Sequence, residues 1–225
     1  MIYLPKSTPD PECLVHERTL ATGNYNCGDV LERLKADFNN KCYICEYQEP
    51  PTINTEHFIP HRGDINLKFG WANLFLACGH CNNTKLAKAE FDNILNCTVQ
   101  AHAVETRIKY EIRPYPKESA SFETQDESPE TANTVELLNA VYNGTTLLKQ
   151  LESSNIRSRL VKEMRDFGDL LFSFYEASNT PEEAAEARLK IERQLRPASN
   201  FTAFKRWVIR TNDTFMKDFS GSLDA

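Results

Sequence analysis

NTEHFIPHRGDINLKFGWANLFLACGHCNNTK, residues 54 to 85, is the stretch whose reading decides the fold. Glu56 and His57 lie in a short run that reads as a strand. Asn73 precedes a second apolar run, LFLAC, and Asn82 and Lys85 follow the cysteine pair Cys78 and Cys81. An upstream pair, Cys42 and Cys45 in KCYICE, has the same two-residue gap. That gap lets both thiolates of a pair point at one ion from a tight knuckle, and two knuckles make a tetrahedral four-thiolate zinc site. The pairs stand farther apart than in the commonest zinc fingers, so the segment between them reads as a functional insertion. A closed four-thiolate site is structural: it marks where a small fold is stapled and carries no chemistry of its own. His80, inside the second knuckle, is expected to be exposed, with replacement of a cysteine ligand as the alternative.

Outward from this segment the pattern changes on both sides. DVLERLKADF places Val30, Leu31, Leu34 and Phe38 on one face of a short helix with Asp29 at its N-cap. Residues 1 to 26 show no period and read as an irregular arm. Beyond the cysteines, VETRIKYEIRPY alternates like a strand, and the Ser, Glu and Asp-rich KESASFETQDESPETAN reads as a loop. Apolar residues from Leu147 to Phe174 recur at three- or four-residue steps, the pattern of a long helix. A second helix starts at Thr180, with Pro181 in its first turn and Glu183 completing a capping box. A third, from about Ser199, carries Phe201, Phe204, Trp207, Val208, Phe215 and Phe219. The expected organisation is an N-terminal arm and helix (1–36), a zinc-stapled module (37–117, its motifs complete by residue 97) and a helical C-terminal region (131–225). The fold class is α+β and mostly helical.

Seven cysteines in 225 residues, an odd number with four in CxxC pairs and no secretory signal, point to reduced thiols that hold metal and to a cytoplasmic protein. Cys13, Cys27 and Cys97 receive no role. No apolar run approaches the length of a membrane span. The net charge of −6 is unusual for a protein that binds nucleic acid alone, because phosphate neutralisation supplies most of that affinity. Either a basic patch is very local or a partner holds the substrate.

The order Glu-His-x-x-Pro, then Asn-Leu-x-x-x-Cys-x-x-Cys-Asn-x-x-Lys, resembles the HNH endonuclease motif over roughly a quarter of the chain. The resemblance implies a ββα-metal module, two antiparallel strands and a helix around one divalent ion. Hydrolysis of a phosphodiester needs a deprotonated water and a cation on the phosphate. His57 suits the first task, since a neutral imidazole accepts a proton near pH 7. The resemblance assigns Glu56 and Asn82 to a catalytic Mg2+ or Mn2+, Asn73 to bracing the loop that orients His57, and Lys85 to phosphate. The family more often has Asp at the position of Glu56 and His at that of Asn82, and Asn83 leaves the register open by one residue. Taken singly, His57 or Asn73 would be an ordinary polar residue; their joint spacing carries the reading. His61 and Arg62 are candidates for the nucleic acid backbone, with plain solvation equally open.

More loosely, and along most of the chain, the sequence resembles the HNH subunits, the PtuB type, of Septu and retron-associated anti-phage systems. These act with an ABC-type ATPase, PtuA. The implied function is DNA cleavage in a defence complex; the alternatives are an RNase acting on tRNA and a noncatalytic zinc module. The aromatic-rich segment FTAFKRWVIRTNDTFMKDF, in this reading, makes the C-terminal region a docking platform for the ATPase.

Overall fold

The computed structural model describes residues 1–223; the last two positions of the C-terminal region, 224 and 225, lie outside the described residues. The fold is α+β, with two two-stranded antiparallel sheets among helices. In chain order come α1 (Glu12–Glu17), α2 (Val30–Asp37), β1 (Ile53–His57), α3 (Ile65–Phe69), β2 (Leu74–Cys78) and α4 (Gly79–Lys85). Then follow α5 (Val104–Arg107), β3 (Ile108–Arg113), β4 (Ser119–Thr124), α6 (Pro129–Asn143), α7 (Leu147–Phe174), α8 (Pro181–Leu195), α9 (Thr202–Arg210) and α10 (Asp213–Phe219).

Strand β2 is buried along its whole length, which is why LFLAC is a continuous apolar run and not an alternating one. Helices α2 and α4 both pack against it. Its partner β1 pairs in a register that sets His57 opposite Leu74 and Ile53 opposite Cys78. Helix α4 begins directly at the second knuckle, where Cys78 Sγ caps it by accepting from the Cys81 N–H. Gly79 follows because a Cβ there would meet Thr52 Oγ1 at 2.8 Å.

The long helix of the sequence pattern is α7, and α8 opens with the Thr180–Glu183 capping box. Asp29 occupies the N-cap of α2 but makes no side-chain hydrogen bond there. Several expectations differ from the structure: the expected strand from Val104 begins as α5, and the one helix expected from about Ser199 is two, α9 and α10. The N-terminal arm is anchored: Met1, Ile2, Leu4 and Leu14 are buried in the main core, and the Leu4 N–H bonds to the Cys97 carbonyl. Cys13 and Cys27, expected as reduced thiols, form a disulfide that closes the segment between them. The acidic stretch 117–133 contains β4, which pairs with β3 so that Phe122 meets Tyr110; its alternation of small polar and apolar residues is masked in sequence by Ser and Glu.

Of the C-terminal aromatics, Phe201, Phe204 and Phe219 are buried, and Trp207 and Phe215 are half-buried at the edges of the same clusters. Phe201 and Phe204 join the main core with Tyr110, Phe122 and Tyr142, and Phe219 joins a smaller cluster with Phe167, Leu171, Ile191, Leu195 and Ile209. Burying each phenyl side chain is worth about 2–3 kcal/mol. The buried part of the aromatic surplus packs between α7, α8, α9 and the β3–β4 sheet.

Candidate active site and metal centre

Cys42, Cys45, Cys78 and Cys81 are buried, and their Sγ atoms all lie within 4.8 Å of one another. Cys45 and Cys78 sulfurs are 4.0 Å apart. Tetrahedral zinc, with Zn–S near 2.3 Å, sets sulfurs about 3.8 Å apart, so the cluster fits the ion closely. Burial pushes the Cys45 and Cys81 thiols well above the ordinary range, whereas hydrogen bonds from Cys42, Cys45 and Cys81 hold Cys78 well below it. A divalent ion would allow four thiolates to share so small a space.

The first knuckle is welded to the C-terminal region by buried polar groups. Lys41 Nζ donates to the carbonyls of Pro197 and Ser199, both at 2.7 Å, and lies 3.8 Å from Glu46. Glu46 accepts from the Ala203 N–H at 2.9 Å, and Gln48 N–H donates to Asn200. Burial lowers the Lys41 ammonium to about 8 against the opposing pull of Glu46. His80 is not among the clustered ligands: its Nδ1 lies 2.8 Å from Glu152 and its Nε2 2.8 Å from the Val141 carbonyl, which ties α4 to α6 and α7.

The residues singled out between the knuckles divide into two groups on opposite faces of β1. His57 is half-buried at the end of the strand, with Nε2 3.0 Å from the carbonyl of Lys68. A carbonyl only accepts, so in this geometry Nε2 carries the proton and Nδ1 keeps the free lone pair. Burial holds the imidazole below its ordinary value, and nearby His61, Lys68 and Lys85 push the same way. Lys68 lies in α3, and Asn73 braces the segment 59–67 that leads into it. There the Asn73 side chain accepts from the Ile59 N–H at 2.8 Å and donates to the carbonyls of Ile59 and Leu67 at 2.8 and 2.9 Å. Tyr25 and His61 pack edge-on against the His57 ring, with centroids at 4.5 and 4.8 Å. Tyr25 reaches that place from the segment closed by the Cys13–Cys27 disulfide, and Lys68 Nζ grips the same segment at the Gly23 carbonyl, 2.9 Å away.

On the other face, Glu56 is 5% exposed and pairs at 3.0 Å with Lys85 of α4, itself 2% exposed. Lys85 also donates to the Phe58 carbonyl and Tyr43 hydroxyl donates to Glu56 Oε1. Burial raises the Glu56 carboxyl to about 7, against the pull of Lys85. Lys85, expected on phosphate, is thus an interior residue; alternation along the strand and the arm length of lysine bring it to Glu56 instead. Glu56 Oε2 is buried without a hydrogen-bond partner. Asn82 and Asn83 lie on α4, Asn82 half-buried and Asn83 exposed, and their amides make no hydrogen bond within the protein among the described residues. Arg62 is exposed on the loop and pairs with Asp92 at 2.8 Å.

Sequence reasoning missed Tyr25, the Lys68 carbonyl and the Lys41–Glu46 pair. Their roles come from long-range placement; only the unexplained Cys13 and Cys27 flanking the Tyr25 segment offered a signal. No model of a known protein family matches the chain, and no curated protein matches it in sequence.

Proposed function

We propose that this chain is a metal-dependent HNH-type endonuclease that hydrolyses phosphodiester bonds with His57 as general base. The observation that carries the reading is the pinning of His57: Nε2 is committed to the Lys68 carbonyl, the segment leading into the helix that supplies that carbonyl is braced by Asn73, and Nδ1 has no hydrogen-bond partner among the described residues. A neutral imidazole so oriented takes a proton from water as the water attacks phosphorus and the ester oxygen leaves. The antiparallel pair β1–β2 followed by α4, with α3 between the strands, supports a ββα reading, and the four cysteines would hold Zn2+ as its staple.

Glu56 and Asn82 would hold Mg2+ or Mn2+, hard ions that suit oxygen donors. The unpartnered Glu56 Oε2 is the kind of acceptor a cation satisfies. Such an ion would neutralise charge on the phosphate; for it to serve the bond attacked beside His57, Glu56 would have to leave Lys85 and the face of β1 it now occupies. His61, beside His57, and the exposed Arg62, which pairs with Asp92, suit contacts with the nucleic acid backbone. The net charge of −6 and three exposed leucines at the start of α7, Leu147, Leu148 and Leu151, support a partner that supplies affinity or control. The resemblance assigns that part to an ABC-type ATPase in anti-phage defence.

One observation favours the noncatalytic reading: Lys85 already neutralises Glu56, where the catalytic ion belongs. Incubation of the purified protein with plasmid DNA and, separately, total tRNA, with and without Mg2+ or Mn2+, decides among the readings. Metal-dependent cleavage of DNA is expected; cleavage of tRNA alone makes it an RNase, and cleavage of neither, with or without the ATPase, makes it a zinc module.

A further inference from the structure

A cleft of about 980 Å³ lies between the second knuckle and α7, walled by Tyr47, Asn54, Asn82, Asn83, Asn155 and Arg159. A second, of about 550 Å³, shares Asn54 and Asn82 and extends to Thr55 and Tyr25. Since Tyr25 packs on the His57 ring, the two clefts together lead from the neighbourhood of the candidate base to α7. Their combined size is that of a large ligand site.

The chemistry of the walls is selective. Asn54, Asn82, Asn83 and Asn155 all face these clefts, and none of their amides has a hydrogen-bond partner within the protein among the described residues. Elsewhere the fold uses such amides internally, as at Asn73, Asn143, Asn200 and Asn212. A primary amide offers a donor beside an acceptor, the pairing that matches the edge of a nucleobase. Among the described residues Arg159 is the only lysine or arginine on either wall, exposed and lying 5.0 Å over the Tyr47 ring, while the two carboxylates there, Glu152 and Glu32, are paired with Lys149 and Lys35. One cation cannot track the two phosphate backbones of a duplex, which binds mainly through many such contacts. Unpaired strands, in contrast, present their base edges directly.

We propose that this cleft holds an unpaired segment of nucleic acid, with Asn83 and Asn155 contacting base edges and Arg159 a phosphate of the same strand, which the second cleft leads on toward His57. The inference rests on the nuclease reading for its orientation. It makes α7, in the C-terminal region, one wall of the substrate site.

The test is fluorescence anisotropy with full-length His57→Ala protein and labelled single-stranded DNA, single-stranded RNA and duplex DNA of one sequence at one salt concentration. Single strands should bind tighter than the duplex, with the DNA and RNA arms identifying the sugar. Arg159→Ala in the same background should weaken single-strand binding about tenfold, and Asn155→Ala should change the preference among bases, with zinc content unaltered. Duplex preferred over single strands, or full affinity and unchanged preference in both variants, overturns the proposal, even if the wild type cleaves. Binding through Arg159 by a wild type that cuts nothing would leave the cleft assignment standing and remove the nuclease reading.

Discussion

The ring Nε2 of His57 and the backbone carbonyl of Lys68 are 3.0 Å apart, and this one contact decides which nitrogen of the imidazole is available for chemistry. Lys68 belongs to the helix that follows the Asn73-braced loop, and its own ammonium holds the N-terminal segment at Gly23. The orientation of the candidate base is therefore set from three parts of the chain.

Burial lowers the His57 value from the ordinary 6.5, so the imidazole stays neutral and able to accept a proton below that pH. The rate should fall on acidification as the ring gains its proton, with the midpoint of the acid limb of kcat/KM below 6.5. A bound divalent cation would move it further in the same direction. An acid limb centred above 6.5 would contradict the assignment.

Asn73→Ala strands the Ile59 N–H and the carbonyls of Ile59 and Leu67. A loss of roughly 2–3 kcal/mol in stability is expected from the unpaired groups. Displacement of the loop, and with it the Lys68 carbonyl, should cost about 100-fold in cleavage. Asn73→Asp keeps the acceptor for the Ile59 N–H and should fall between. Denaturant midpoints and single-turnover rates measured side by side check both; an active, fully stable Asn73→Ala protein sinks this account of the loop.

Cys42→Ser should abolish zinc binding and unfold more than the knuckle. Structural zinc contributes about 10–16 kcal/mol to folding in small peptides. Here the knuckle also seats the loop before α9 through Lys41 and Glu46. Zinc content and hydrogen exchange of α9 should report loss together. Retention of one zinc per chain and a protected α9 would show that the cysteine cluster is not the staple.

Lys85→Met leaves Glu56 buried without its countercharge, a change that costs about 3–5 kcal/mol for a broken buried pair. The folded-state carboxyl value is already raised to about 7. Ionised in the unfolded chain but resisted in the fold, the group should make the variant progressively less stable as pH rises from 5 to 8. Unfolding curves at both pH values check this. Weakened nucleic acid binding with unchanged stability would instead return Lys85 to the phosphate.

The parts of the fold legible in the sequence are those in which local chemistry dictates geometry. Two CxxC spacings bring four sulfurs together, Thr180 and Glu183 start α8, and the periodic leucines form α7. β4 was hidden because its outward positions are Ser, Glu and Thr, which resemble a loop until Tyr110 supplies a partner for Phe122. At the site, motif spacing singled out His57 and Asn73. It could not reveal that Lys85 turns inward, because the choice between phosphate and Glu56 depends on how α4 lies on β1. Tyr25 was equally invisible: only tertiary packing carries it across to His57.

The most direct measurement is the single-turnover cleavage rate of His57→Ala beside wild type, on the substrate each metal ion supports, with zinc content and thermal melting recorded on the same samples. A loss of about 100- to 10,000-fold with zinc and melting unchanged is the predicted result, the usual cost of removing a general base. Undiminished metal-dependent cleavage by folded, zinc-loaded His57→Ala protein would contradict the central claim.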